Sequence, residues 1–154
     1  MFLNDFYTVM INDVVAPGDN YLLYADDDAD DRAILTEMMR QVDASIPLLA
    51  LENGLQLVAY LNALLPGDKL PSCIVLDINM PGWDGIQTLK SLKEDHRYHE
   101  IPVFLFSTST SPQDATAANA LGAEAFITKP FGQRELMAVC EEFAAFVQKP
   151  YLVR

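Results

Sequence analysis

Short apolar runs and longer amphipathic stretches alternate along the chain from residue 21 onward. Tyr21-Leu-Leu-Tyr-Ala25 is an unbroken apolar run that stops at acidic residues, and it reads as a strand. Beyond it, Ile34, Leu35, Met38, Met39 and Val42 recur at helical spacing and predict a helix with one buried face. Ile46 to Leu51 is again strand-like. Asn53 then stands as a helix cap ahead of Leu55, Val58, Leu61 and Leu65, which are expected to share one face. Cys73-Ile-Val-Leu76 is a third strand, followed by a helix carrying Ile86, Leu89 and Leu92. Val103-Phe-Leu-Phe106 is a fourth. The alanine-rich stretch from Pro112 to Leu121 predicts a helix with Gly122 as its C-cap. Ala125-Phe-Ile127 is a fifth short strand, and the last helix, Gln133 to Gln148, is expected to bury Leu136, Met137, Cys140, Phe143 and Val147.

This alternation predicts an α/β fold. The runs at 73–76 and 103–106 are apolar at every position, as parallel strands covered on both faces require. Such sheets bind ligands beyond the carboxyl ends of their strands, so the residues that follow each strand matter most. Asp26, Asp27 and Asp28 follow the first. Asp77, then Ile78-Asn79-Met80-Pro81-Gly82, follows the third. Ser107 and Thr108 follow the fourth, and Thr128-Lys129-Pro130 the fifth. Crowded carboxylates repel one another unless a cation joins them. Hard oxygen ligands in few positions suit Mg²⁺, which keeps several waters and completes its shell with phosphate. A lysine and a hydroxyl alongside would hold the other phosphate oxygens, and a carboxylate is available as nucleophile. Taken singly, each signal has a plainer reading. An aspartate run after a strand is commonly a solvated turn or helix cap, which covers Asp30 and Asp31, and Lys129-Pro130 alone is a loop. Their coincidence at four strand ends favours a phosphoryl-transfer site.

Charge narrows the partners. With 22 acidic against 10 basic residues, the 154-residue chain carries a net charge of −12. Such a surface repels phosphate backbones, so direct nucleic-acid binding is not expected. The length suits one domain over 21–148, with residues 1–20 as an N-terminal extension ending in the Ala16-Pro-Gly-Asp-Asn20 turn or linker and 149–154 as a tail. Cys73 and Cys140 sit in apolar runs without metal-ligand spacing and read as buried free thiols in a reducing compartment. No apolar stretch is long enough to span a membrane. The first basic residue is Arg32, which fits neither a secretory signal nor a transit peptide, so a cytoplasmic location is expected.

The motifs LLYADDD, IVLDINMPGWDG, FLFSTS and AFITKPF resemble the receiver domain of two-component response regulators, and so do their spacings of 30 residues from Asp77 to Ser107 and 22 from Ser107 to Lys129. The resemblance covers about Tyr21 to Gln148. It implies a flavodoxin-like, doubly wound (βα)5 fold with strand order 2-1-3-4-5. It also implies that Asp77 is the phospho-acceptor, taking its phosphoryl group from a sensor histidine kinase or a histidine phosphotransfer protein. Asp27 and Asp77 would ligate Mg²⁺ directly with the Asn79 backbone carbonyl, and Asp26 would act through water. Asp28 would face solvent outside the acidic pair. Lys129 would pair with Asp77 and then with the phosphoryl group. Ser107 would be the switch hydroxyl and Phe126 the switch aromatic, and a cis bond often precedes the residue at Pro130.

Departures from the pattern matter as well. Phe126 has no hydroxyl, Thr108 is β-branched where Ala or Gly is common, and Ser109 and the Asn79 side chain stand where phosphoryl lifetime is tuned. The helix from Pro112 lacks the basic residues of a DNA-binding regulator's dimer face, and Arg134 alone does not rebuild it. The expectation is a stand-alone receiver, not a turnover enzyme, that signals to an unnamed downstream protein through helix four, strand five and helix five or relays its phosphate. An aspartate-nucleophile phosphohydrolase would want a second aspartate where Asn79 stands, and a cap insertion. A receiver fold that only binds would not need the full Asp26, Asp27, Asp77, Ser107 and Lys129 set.

Overall fold

The structure, a computed structural model, describes residues 20–149. The N-terminal extension (apart from Asn20) and the tail beyond Lys149 lie outside the described residues. Five strands alternate with five helices: β1 Leu22–Ala25, α1 Ala29–Val42, β2 Leu48–Leu51, α2 Gly54–Ala63, β3 Cys73–Leu76, α3 Gly85–Glu94, β4 Val103–Ser107, α4 Pro112–Ala120, β5 Ala125–Thr128 and α5 Gln133–Gln148. All strand pairings are parallel, and the sheet order is β2-β1-β3-β4-β5, as expected.

The continuous apolar runs have a direct cause in this sandwich. Successive strand residues point to opposite faces, and both faces are covered. Leu23, Ala25, Ile74, Leu76, Val103 and Leu105 join one core with residues of α2, α3 and α4. Leu22, Tyr24, Cys73, Val75, Phe104 and Phe106 join the other with residues of α1 and α5. In that second core the rings of Phe104 and Phe106 meet Phe143 edge-on, and Phe146 does the same to Phe104. Cys73 and Cys140 are buried and form no disulfide, and burial pushes the Cys140 thiol up to about 12.

Local chemistry sets the helix ends. Asn53 caps α2, accepting from the Gln56 N–H, and Ser111 caps α4 with Pro112 in its first turn. Asp84 and Gln87 form a reciprocal capping box at α3. Gly122 adopts φ +88° just past α4, the left-handed C-terminal role expected of it.

Three expected core residues are exposed instead: Ile34, Leu55 and Leu65. In α1 the buried stripe is Leu35, Met38 and Met39, and Ile34 lies one residue, about 100°, to the side of Leu35. In α2 the stripe is Gly54, Leu57, Tyr60 and Leu61, which turns Leu55 outward. Leu65 lies beyond the helix, whose C-cap is Leu64. The Lys129–Pro130 peptide is trans, the isomer that X–Pro bonds favour by about 0.5–1 kcal/mol. Among the described residues no helix is long and apolar enough to cross a membrane.

One glycine ties the fold to the strand ends. Gly85 opens α3 and donates its N–H to the Ile78 carbonyl at 2.9 Å. A Cβ there would stand 2.3 Å from the Asp77 carbonyl oxygen and 2.8 Å from Ile78 Cα. Gly85→Ala is therefore expected to destabilise the fold by about 2 kcal/mol through overpacking. Urea unfolding measures it, and a change below about 0.5 kcal/mol, the ordinary range of surface substitutions, would mean the loop yields freely.

Candidate phosphoryl-transfer site

The sheet's hydrogen-bond ladder runs one residue past β1, β3 and β5, and Ser107 closes β4 itself. Asp26 N–H donates to Leu51 O at 3.1 Å, Asp77 N–H to Ala25 O at 3.0 Å, and Lys129 N–H to Ser107 O at 2.8 Å. Their side chains thus start from backbone as fixed as the sheet itself. They converge: ligand oxygens of Asp26, Asp27 and Asp77 all lie within 4.8 Å of one another. Asp26, Asp77 and Ser107 are buried, whereas Asp27 is exposed.

Asp26 is the most heavily engaged of the three. Its Oδ2 accepts from the Tyr24 hydroxyl at 2.5 Å and from Lys129 Nζ at 2.7 Å, and its Oδ1 accepts from the Asp28 N–H at 3.0 Å. Arg32 adds a hydrogen bond to the Asp26 carbonyl at 2.8 Å. Asp28 caps α1, accepting from the Asp30 and Asp31 N–H groups, and is solvent-facing as expected. Ser107 is buried beside Asp77, to which its hydroxyl hydrogen-bonds, and its oxygen also accepts from the Ser109 N–H at 3.3 Å. Ser109 Oγ donates to Asp114 at 2.6 Å, tying the loop after β4 to the first turn of α4. Thr108 and Asn79 are exposed, and Phe126 is half-buried against the α2–α4 core.

Lys129 makes the expected ion pair with Asp77 and two closer ones besides. Its ammonium sits 2.7 Å from Asp26 and 2.8 Å from Asp31, and only 3.6 Å from Asp77. Asp31, expected as a solvated turn or cap residue, is one of its two hydrogen-bond partners. Tyr24 is likewise an unanticipated member of the site, although strand periodicity carries the signal. Residues i and i+2 share a face, so Tyr24 and Asp26 point the same way. The sequence offers no comparable signal for Asp31, because acidic residues in a first helical turn are ordinary complements to the helix dipole.

Burial pushes the Asp77 carboxyl up to about 6; Lys129, the Ser107 hydroxyl and the Ile78 N–H oppose the rise, and the Asp26 charge adds to it. Burial alone would depress the Lys129 ammonium, but its hydrogen bonds to Asp26 and Asp31 and the charges of Asp26 and Asp77 hold it above its ordinary value. Beside the site, a cavity of about 610 Å³ opens between α1 and the start of α5, with Tyr24, Ile34, Phe106, Phe131, Leu136 and Lys129 in its lining. Phe131 is fully exposed there.

A parallel sheet with acidic, hydroxyl and ammonium groups gathered at its carboxyl edge is the arrangement of the receiver class of signalling domains. The chain belongs to that class by descent: residues 22–141 match the response regulator receiver domain family, and the chain is a member of it. Among curated relatives, the sensor histidine kinase CheAY of Helicobacter pylori is 30% identical over 80% of this chain and 15% of its own length. The transcriptional regulatory protein CpxR of Klebsiella pneumoniae is 32% identical over 77% of this chain and 47% of its own. The chain thus spans less than half the length of these relatives. Among solved structures, the response regulator RPA3017 in red light signaling of R. palustris superposes with TM-score 0.72 at 26% identity, covering 82% of this chain and 92% of that one. The phosphorylated cyanobacterial phytochrome response regulator RcpA gives TM-score 0.75 at 24% identity, covering 84% and 94%.

The raised Asp77 value has a sign that can be tested. Between its ordinary 3.8 and about 6, the folded protein holds a proton that the unfolded chain releases. The stability this proton confers is complete below the unfolded value and is lost as pH rises through the folded one. In metal-free protein at about pH 7.5, Asp77→Asn should therefore melt a few degrees higher than wild type, on the order of 1–2 kcal/mol. The gap should shrink as the pH approaches about 4, below the window of the shift. Thermal melts at the two pH values check this, and a variant less stable at the higher pH would contradict the arrangement.

Proposed function

We propose that this receiver accepts a phosphoryl group on Asp77 from a phosphohistidine on a sensor histidine kinase or phosphotransfer protein. The observation that carries the reading is the company of Asp77: a carboxylate buried at a strand end, with a hydroxyl and an ammonium beside it and two further carboxylates within ligand distance. An Asp77 oxygen attacks phosphorus in line. The phosphorus–nitrogen bond breaks, and its electron pair returns to the imidazole nitrogen. Lys129 and the Ser107 hydroxyl then face the new phosphoryl oxygens. The chemistry stays on the protein's own aspartate, through phosphorylation and later hydrolysis.

The donor set fits Mg²⁺: hard carboxylate oxygens, few in number, one of them exposed. Asp27 and Asp77, with the Asn79 carbonyl, would hold it directly. Asp26, whose oxygens already accept from Tyr24, Lys129 and the Asp28 N–H, suits a water-mediated role. When bound, the ion supplies positive charge that draws phosphoryl oxygens toward Asp77. The solved structure of the Mn(2+)-bound form of response regulator Rcp1, a fold relative, is consistent with a divalent cation here.

Phosphorylation would shift a pre-existing balance of conformations through Ser107 and Phe126, toward a downstream protein that docks on the α4–β5–α5 face. The exposed apolar side chains of Ile34 and Phe131 line the neighbouring cavity together with Lys129 and suit docking of the phosphohistidine protein. A cytoplasmic setting follows from that partner.

Intact-mass analysis with acetyl phosphate and Mg²⁺ should show one phosphoryl group on wild type and none on Asp77→Asn; equal labelling of both rejects the assignment. Phe131→Ser should slow transfer from a phosphohistidine protein about tenfold, as for loss of one interface anchor, and change acetyl phosphate labelling far less. Equal slowing with both donors would place Phe131 in the chemistry instead of the docking.

A further inference from the structure

An ammonium has three N–H groups to distribute. Lys129 commits two of them, to Asp26 at 2.7 Å and Asp31 at 2.8 Å, and remains 3.6 Å from Asp77. The two partners differ in what holds them. The Asp26 carboxylate is wholly buried and is pinned by the Tyr24 hydroxyl and the Asp28 N–H. Asp31 projects from the first turn of α1 with 38% of its side chain exposed. Among the described residues, Lys129 provides the one side-chain hydrogen bond to its carboxylate.

We propose that Asp31 is a positioning residue for Lys129. It holds the ammonium on the α1 side of the pocket, short of hydrogen-bond distance from Asp77, and gives it up when a phosphoryl group on Asp77 offers more charge and more acceptor oxygens. The proposal rests on the reading of Asp77 as acceptor. A phosphoryl group outcompetes a single carboxylate for an ammonium, and of the two carboxylates the one in contact with water is the cheaper to leave. Asp26 keeps its hold, so Lys129 pivots about that contact. In one state the first turn of α1 is tied to the loop after β5, and in the other it is free.

The test compares wild type, Asp31→Asn, Asp31→Ala and Asp30→Asn. Asp30 carries the same charge on the same helical turn, and its carboxylate makes no ion pair with Lys129 among the described residues. The first arm needs neither donor nor metal. Crystal structures of the metal-free variants should show Lys129 Nζ within hydrogen-bond distance of Asp77 in both Asp31 variants, and near its wild-type 3.6 Å in Asp30→Asn. A lysine that stays in place in the Asp31 variants overturns the proposal. The second arm is the initial rate of labelling by acetyl phosphate with Mg²⁺. Both Asp31 variants should exceed Asp30→Asn by at least about threefold, the scale of one partly exposed ion pair. In a Lys129→Met background this advantage should vanish. Equal rates for the Asp31 and Asp30 variants, or an advantage that survives loss of Lys129, reduce Asp31 to a surface charge and overturn the proposal. Wild type that takes no label at all rejects Asp77 as acceptor, and the first arm still decides whether Asp31 places Lys129.

Discussion

The Lys129 ammonium, shared among the carboxylates of Asp26, Asp31 and Asp77, is the contact on which the rest of the site depends. It joins the end of β5 to the end of β1 and to the first turn of α1, elements 98 to 103 residues apart in sequence. At an effective dielectric of about 20, a charge pair about 3 Å apart attracts by about 6 kcal/mol, and burying the two ions costs several kcal/mol each. The two effects nearly cancel. What the contact supplies is therefore position more than stability: it fixes where positive charge stands among three carboxylates. Asp77 registers that balance, since burial raises its carboxyl while Lys129 and Ser107 restrain the rise.

The fold serves this contact by rigid means. Parallel strands covered on both faces anchor the backbones of Asp26, Asp77 and Lys129 by the ladder just beyond their strand ends and hold Ser107 within β4. The close approach at Gly85 holds the Asp77 loop against the start of α3. Ser109 and Asp114 tie the loop after β4 to α4, so a movement of Ser107 has a short mechanical route to that helix.

Much of this was legible in the sequence, for reasons that can be named. The apolar runs identify strands because burial on both faces leaves no polar position, and the strand ends then select Asp26, Asp27, Asp77, Ser107 and Lys129. The structure brings these five together. Less legible was the exact arc of each helix that faces the core. Periodicity finds a stripe but tolerates an error of one residue, which is how Ile34 and Leu55 came to be expected inside. Asp31 escaped for a different reason. A lysine side chain has four rotatable bonds and can choose among several carboxylates, a choice that only the packed geometry settles. Tyr24 read as one more apolar residue of β1, although its phenol is a donor that a buried Asp26 needs.

The central claim, that Lys129 and Asp26 together set the charge balance of the pocket, is tested most directly by a double-mutant cycle. Lys129→Met, Asp26→Asn and the double variant would be unfolded in urea without metal, beside wild type. The account predicts a coupling energy of about 2 kcal/mol or more, as for charged groups in direct buried contact. A coupling near zero would contradict it, because each residue would then hold its place without the other.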